Sequence, residues 1–149
     1  MSAIFWIISG IILITLYFLY AGVIMKKNKV KEASAGIDVQ LKKRYDLIPN
    51  LLNMAAKFMA HESKLMEEIT KLRTAAMANS FKDNPQEKIK NEKLLESKLK
   101  EFNLSVENYP DLKSNQTMMT AMQSMNEVEE HIAAARRFYN AAVNDLTNA

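Results

Sequence analysis

The sequence predicts an all-α protein, in which one N-terminal transmembrane helix is followed by long amphipathic helices. Three observations predict this class. The first 25 residues carry no charged side chain, the later apolar residues recur at steps of three, four and seven, and the chain has only 3 glycines and 3 prolines. Such steps place apolar side chains on one face of a helix, and few glycines or prolines leave few places to end one. We therefore divide the chain into an anchor, residues 1–25, and one helical domain, residues 26–149.

The N-terminal apolar segment is long enough to span a membrane. From Ile4 to Met25, about 22 residues would form a helix of roughly 33 Å, which matches the hydrocarbon core of a bilayer. The competing interpretation, a cleaved signal peptide, needs basic residues before the apolar core, whereas here they follow it. By the positive-inside rule this basic flank stays in the cytoplasm, with the N-terminus outside and the helical domain inside. The residues of the flank that we expect to face lipid are Lys26, Lys27, Lys29 and Lys31.

Composition excludes several classes of function. The 20 basic residues are nearly balanced by 17 acidic ones, which argues against a nucleic-acid-binding surface. The chain has no cysteine, and its 2 histidines, His61 and His131, lie on different predicted helices. Glu127 and His131 do not make the repeated Glu-x-x-His pattern of a di-iron bundle. Because phosphate-loop and nucleophile motifs are absent as well, we expect a non-enzymatic protein with no metal and no cofactor.

The first helix of the domain is predicted over residues 26–79. Its apolar face comprises Val30, Ala33, Ile37, Leu41, Ile48, Leu52, Ala55 and Met59. Pro49 should bend this helix, because proline cannot donate to the carbonyl four residues back, which is that of Tyr45. Asp38, Lys42 and Asp46 are four residues apart, and they form either a ladder of alternating charge or a solvated stripe.

The second helix is predicted over residues 85–105. Turn-forming residues at 79–85 place a loop before it, Asn84 is its expected cap, and Pro85 suits its first position. The apolar side is assigned to Ile89, Leu94 or Leu95, Leu99 and Phe102. The many lysines and glutamates of this helix, Lys88 and Glu92 among them, are interpreted as an exposed face. Tyr109-Pro110-Asp111 should then break the chain.

The third helix, residues 114–148, has the clearest seven-residue repeat of the domain. Met118, Met125, Ile132, Tyr139 and Leu146 form one row, and Ala121, Val128, Ala135 and Ala142 follow three positions later. We favour packing of this seam against the first helix, which has a matching stripe. A coiled coil with a second copy of the chain is the alternative.

Four stretches resemble the LemA family of bacterial membrane proteins. The longest is IDVQLKKRYDLIPNLL, residues 37–52, followed by His61-Glu62, by YPDLK at 109–113 and by ARRFYN at 135–140. The resemblance covers roughly residues 20–143. The resemblance implies one transmembrane helix and an antiparallel bundle of long helices that faces the cytoplasm, but it implies no activity. Ser34 and Gly36 depart from the family, which usually has tryptophan and glutamine there, and they make this part of the helix smaller and looser.

The polar residues of these motifs are candidates for either of two roles. Ion pairs between helices that set their register are one role, and a docking surface on the bundle is the other. The candidates are Asp38, Lys42, Arg44, Asp46, Pro49, Tyr109, Asp111, Arg136, Arg137, Tyr139 and Asn140.

We therefore expect a membrane-anchored helical scaffold or assembly protein at a bacterial inner membrane. Its expected partners are the lipid bilayer, further copies of the same chain and another membrane protein, but not nucleic acid. The alternative is a regulatory or adaptor subunit, or a substrate, of a membrane enzyme such as a protease.

Overall fold

The chain folds into helices alone. The computed structural model describes residues 2–79, 81 and 84–148, with side chains from Phe5 onward. It is 91% helical, and none of the described residues forms a strand, so the predicted all-α class is confirmed. The helices are α1 (Ser2–Ala55), α2 (Ser63–Ala78), α3 (Pro85–Val106), α4 (Pro110–Lys113) and α5 (Gln116–Thr147), with a 3₁₀ turn at Ala60–Glu62 before α2.

Helix α1 continues without interruption from the apolar segment into the helical domain. Pro49 lies inside it. The carbonyl of Tyr45, which proline cannot serve, accepts a hydrogen bond of 2.7 Å from Nε of Arg73 on α2. A side chain of α2 therefore replaces the backbone donor that Pro49 lacks, and α1 continues as a helix beyond Pro49.

The prediction of one helix over residues 26–79 is wrong between Ala55 and Ser63. The chain leaves α1 at Ala55, turns at Met59, whose φ of −111° and ψ of 50° are not helical, and re-enters a helix at Ser63. The reason lies in the apolar spacing. Met59 and Leu65 are both buried but six residues apart, and the positions where a continuous helix would need an apolar side chain carry Glu62 and Ser63. Because the chain turns between Ala55 and Ser63, Met59 and Leu65 can both be buried, which one continuous helix would not allow.

The caps of the later helices follow the predicted turn chemistry. The Asn84 side chain accepts a hydrogen bond of 3.2 Å from the backbone N–H of Glu87, and Pro85 is the first residue of α3. Ser80, Lys82 and Asp83 of the predicted loop lie outside the described residues. The predicted break at Tyr109-Pro110-Asp111 is observed, since α3 ends at Val106 and the short helix α4 begins at Pro110. Asn115 then caps α5, because its side-chain oxygen accepts from the N–H groups of Thr117 and Met118 at 3.0 and 3.1 Å.

The described residues form two compact units, and α1 and α5 contribute to both. The first unit, from Met1–Gln40 and Glu130–Ala149, has a small core of Ala33, Ile37, Ile132 and Ala142. The second unit, Leu41–Glu129, holds most of the buried residues. In it α2 and α3 pack against each other, and α1 runs antiparallel to α5.

The predicted apolar stripe of residues 30–59 is confirmed, because its members from Ala33 to Met59 are buried and Val30 is half-buried. The stripe of α5 is confirmed in part, since four of its members are half-buried: Ala121, Ala135, Tyr139 and Leu146. In α5 the buried members are Met118, Met125, Val128, Ile132 and Ala142. The assignment of α3 needs correction: Ile89 and Leu94 are exposed, whereas Leu95, Leu99, Phe102 and Val106 are buried. Lys88 and Glu92, interpreted as part of an exposed face, are buried as well.

Candidate functional site: a buried charge cluster

Charged side chains meet in the core of the second unit. We call this group the buried charge cluster; it comprises Arg44 and Tyr45 of α1, Lys88 and Glu92 of α3, and Glu129 of α5. Arg44 is 0% exposed, Glu92 2% and Lys88 5%. Charges are rarely buried so completely unless they are paired, and these are paired with one another.

Arg44 connects α1 to two other helices. Its Nη1 donates to both carboxylate oxygens of Glu129, at 2.9 and 3.3 Å, and its Nη2 donates to Oε2 of Glu92. Arginine suits this position because its planar guanidinium directs several N–H groups at two carboxylates at once. Nε of Arg44 has no hydrogen-bond partner within the part of the chain that the structure describes. The guanidinium is thus held by its terminal nitrogens alone.

Lys88 occupies the other side of the cluster. Its Nζ donates to Oη of Tyr45 at 2.7 Å and to the carbonyl of Ala76 at 2.6 Å, and it lies 3.1 Å from Oε1 of Glu92. The Tyr45 hydroxyl donates in turn to Glu92. All three N–H groups of the ammonium therefore have an acceptor nearby, which is what a buried lysine requires. The Ala76 contact includes α2 in the network.

The charges of the cluster sum to zero, since two cations face two carboxylates. Such a group does not add much net stability, because the cost of removing four charges from water offsets their attraction. Removal of a single member is costly, however, since its partners stay buried without compensation. The cluster therefore favours one arrangement of α1, α2, α3 and α5 over alternatives that would separate the charges.

Sequence reasoning identified only one member of the cluster, Arg44, as a candidate. Arg44 does form ion pairs between helices, although its partners are glutamates and not aspartates. That such pairs set helix register stays a prediction. A signal for two of the other members exists in α3, where Lys88, Glu92, Leu95, Leu99, Phe102 and Val106 are spaced by four, three, four, three and four residues. Extending the buried stripe backward places Lys88 and Glu92 in the core.

The other motif residues lie at or near the surface. Asp38, Lys42, Asp46 and Asp111 are exposed, and none of them has an ion-pair partner among the described residues. The half-buried candidates are Pro49, Tyr109, Arg136 and Tyr139, whereas Arg137 and Asn140 are exposed. Two uses of these residues, in helix register or in docking, stay predictions.

A shallow cleft lies in the second unit between the C-terminal part of α1 and the start of α5. Its volume is about 580 Å³. The lining combines amide and hydroxyl groups with a few apolar side chains: Leu47, Asn50, Asn53, Met54, Lys57, Gln116, Thr117, Thr120 and Ala121. A surface of this composition can accept hydrogen bonds as well as apolar contacts from a helix or peptide.

The ion pair of the first unit is exposed, unlike those of the cluster. Nζ of Lys29 lies 3.3 Å from Oδ2 of Asp145 on α5, and 5.9 Å from the centre of the Phe138 ring. The two side chains of the ion pair are 48% and 56% exposed. One of the four lysines expected to face lipid therefore contacts α5.

Ionisation is perturbed at a surface contact between α2 and α3. A hydrogen bond from Lys98, at 2.8 Å, lowers the pKa of the Glu68 carboxyl below its ordinary value of 4.5. The same hydrogen bond is the largest of the causes that raise the pKa of Lys98 above its ordinary value of 10.5. A hydrogen bond to Glu96 likewise raises the pKa of Lys100. The Glu68–Lys98 contact therefore favours folding at neutral pH, and this contribution is lost below the pKa of Glu68 and above that of Lys98.

Metal ligands are not assembled in the described part of the chain, where no three histidine, aspartate or glutamate side chains lie close enough to hold an ion. Glu127 and His131 are both exposed, and Glu127 accepts a hydrogen bond from Gln123 at 3.1 Å.

Helix α1 is the one described helix that is long and apolar enough to cross a membrane. None of its most apolar stretch is buried within the chain. In this stretch the Thr15 hydroxyl donates to the carbonyl of Ile11 at 2.9 Å, so its polar group is satisfied within the helix.

Comparison with known proteins gives a family and no more. No curated protein matches the chain significantly. The model of the LemA family matches residues 33–149, which is more than half of the sequence. These residues include Arg44, Lys88, Glu92 and Glu129, and the chain belongs to the LemA family.

Proposed function

We propose that this protein is a non-enzymatic, membrane-anchored helical scaffold that self-associates at the inner membrane of a bacterium. The observation that carries the proposal is the uncovered apolar segment of α1. Side chains from Phe5 to Met25 are mostly exposed, Trp6 by 72% and Tyr17 by 68%, although a soluble protein would bury such a segment. A bilayer is the environment that covers it.

The rest of the chain supports a structural role more than a chemical one. The charged residues of its core pair with one another. The buried charge cluster is shielded from solvent except at Glu129, whose side chain is 31% exposed. A substrate would have no access to Lys88, Glu92 or Tyr45. What the domain offers to other molecules is its outer surface, including the cleft between α1 and α5.

The oligomeric mass in mild detergent tests the scaffold directly. Light scattering, corrected for bound detergent, should return one uniform oligomer from the purified full-length chain. Crosslinking in intact membranes should trap the same species. A monomer in both measurements would contradict self-association.

A matched pair of variants locates the contact. Exposed cleft residues Asn50 and Thr120 are replaced by arginine in one variant, and exposed residues outside the cleft, Lys93 and Ser97, in another. If copies meet through the cleft, only the first variant dissociates. If neither changes the mass of the oligomer, self-association uses another surface.

Localisation is part of the proposal. We place the N-terminus outside and the helical domain in the cytoplasm, because the lysines after Met25 favour the cytoplasmic side. Protease added to intact spheroplasts should then leave the domain uncut, and it should cut the domain once the membrane is permeabilised. Digestion in intact spheroplasts would contradict this orientation.

A regulatory or adaptor role for a membrane enzyme is the second candidate. The cleft favours it, because amide and hydroxyl groups beside apolar side chains suit a peptide segment of a partner. Deletion of this protein should then lower the activity of one membrane enzyme. Restoration of that activity by a full-length chain that cannot self-associate would favour the adaptor over the scaffold.

A further inference from the structure

The four lysines after the apolar segment differ in their surroundings. Lys26 is half-buried, whereas Lys27, Lys29 and Lys31 are exposed. Among the described residues, Asp145 pairs with Lys29, and no carboxylate pairs with Lys26, Lys27 or Lys31. The sequence alone does not distinguish these four lysines, but their burial and contacts in the structure do.

Helical geometry separates the lysines further. The packed side of α1 in this unit is marked by Val30, Ala33 and Ile37. At about 100° per residue, Lys26 lies in line with this side, and Lys29 flanks it, where its ammonium contacts α5. Lys31 points away from the packed side, and Lys27, one turn before it, lies about 90° from the middle of that side and is exposed.

We propose that Lys27 and Lys31 bind the phosphate groups of anionic phospholipids, whereas Lys29, whose charge is partly compensated by Asp145, contributes less. This inference rests on the proposed insertion of the apolar segment into a bilayer. Lys27 and Lys31 follow Met25 by about 3 and 9 Å along the helix, so their ammonium groups reach the headgroup layer.

The charge pattern favours anionic lipid over zwitterionic lipid. Two ammonium groups one turn apart, with no carboxylate of the described residues bound to either, attract negative headgroups and not neutral ones. Lysine can also extend its alkyl chain along the apolar surface while its ammonium stays at the level of the phosphates. The charge of Lys29 is partly compensated, because its ammonium lies beside Asp145 and the ring of Phe138.

Lipid selectivity of the full-length chain tests the proposal. The protein is reconstituted into phosphatidylcholine vesicles, and its association with spin-labelled phosphatidylglycerol is compared with that of spin-labelled phosphatidylcholine. We expect the wild-type protein to favour phosphatidylglycerol at least about threefold, and we expect this preference to weaken in about 0.5 M salt. In the double variant Lys27→Gln and Lys31→Gln the ratio should fall to about one.

Two controls separate this pair from charge in general. The variant Lys90→Gln and Lys93→Gln removes the same charge from exposed positions of α3, and it should keep the wild-type ratio. Lys29→Gln should lower it less than Lys27→Gln or Lys31→Gln alone does. The proposal is overturned if the Lys27/Lys31 variant retains the preference, or if Lys29→Gln abolishes it.

Flotation of the same vesicles distinguishes this proposal from the proposed anchoring. If the protein fails to float with the vesicles, or is extracted from them by alkaline carbonate, anchoring fails and the lipid site fails with it. If it floats and resists extraction but shows no preference for phosphatidylglycerol, only the lipid site is refuted.

Discussion

Each unit holds an ion pair between α1 and α5, Arg44–Glu129 in one and Lys29–Asp145 in the other, and these two pairs differ in nearly every physical respect. Arg44 and Glu129 belong to a network in which the guanidinium is fully buried and the carboxylate is 31% exposed. Lys29 and Asp145 are about half exposed, and they meet at 3.3 Å through one contact. The same formal interaction therefore occurs once in a protein core and once in water.

The difference determines what each pair can do. In the core, weak screening makes loss of a partner expensive, whereas at the surface water and salt reduce the attraction to a fraction of a kcal/mol. The contribution of Asp145 to stability is further reduced by its position near the end of α5, because the carbonyl end of a helix repels negative charge. We expect the buried pair to govern how the helices pack and the exposed pair to have little effect on stability.

Replacement of Glu92 by alanine should have the largest effect. It leaves Arg44 and Lys88 buried with fewer carboxylates, which should lower the free energy of unfolding by about 3–5 kcal/mol. Urea unfolding of the full-length protein in mild detergent, followed by circular dichroism, measures this change. Glu101→Ala, an exposed position on the same helix, should cost about 1 kcal/mol or less.

A second replacement shows whether stranded charge is the cause. Addition of Lys88→Met to Glu92→Ala removes the cation that Glu92→Ala leaves without a carboxylate, since Arg44 keeps Glu129, so it should recover part of the lost stability. If the double variant were less stable than the single one by the full cost of Lys88→Met alone, charge compensation would not explain the effect of Glu92.

Replacement of Arg73 should have an intermediate effect on stability, because its side chain binds the backbone carbonyl left free by Pro49 and not a charged group. Arg73→Met removes the donor to the Tyr45 carbonyl, and should cost about 1–3 kcal/mol. In a Pro49→Ala background the cost should shrink, since the N–H of alanine can serve that carbonyl. Equal costs of Arg73→Met in both backgrounds, by urea unfolding, would show that the hydrogen bond to this carbonyl is not what Arg73 contributes.

The contrast between the two pairs also explains what could be predicted from the sequence. The apolar stripes, the Asn84 cap and the break at Tyr109-Pro110 follow from local spacing and turn chemistry, so they were accessible. Burial of Lys88 and Glu92 depends on which residues of α1 and α2 they meet. Propensity places lysine and glutamate on the surface, and a core partner on another helix overrides it.

The break after Ala55 was missed for a related reason. No glycine or proline marks residues 56–62, and each residue there is compatible with a helix. What ends α1 is the gain from burying Leu65 and Ile69 beside the rest of the core of the second unit, a contact distant in sequence. The six-residue gap between Met59 and Leu65 is the only local trace of it.

Gly36→Ala should have a smaller effect, and in the stabilising direction. Gly36 lies in the first unit, within α1, and a Cβ atom added there would meet nothing within 4 Å. Alanine should therefore raise the free energy of unfolding by about 0.5–1 kcal/mol through helix propensity alone. Thermal unfolding measures it, with Ser34→Ala as a control of smaller expected gain. A loss of stability would mean that this part of α1 needs the flexibility of glycine.

The exposed pair itself should have the smallest effect. We expect a double-mutant cycle of Lys29→Gln and Asp145→Asn to return a coupling free energy of about 0.2–0.5 kcal/mol at low salt, and less in about 0.5 M salt. Asp145→Asn alone should be nearly neutral, because it also removes a negative charge from the end of α5. A coupling above about 1 kcal/mol, unchanged by salt, would contradict the comparison, because the Lys29–Asp145 pair would then behave as a desolvated one. The first unit would in that case rely on this contact as the second unit relies on Arg44.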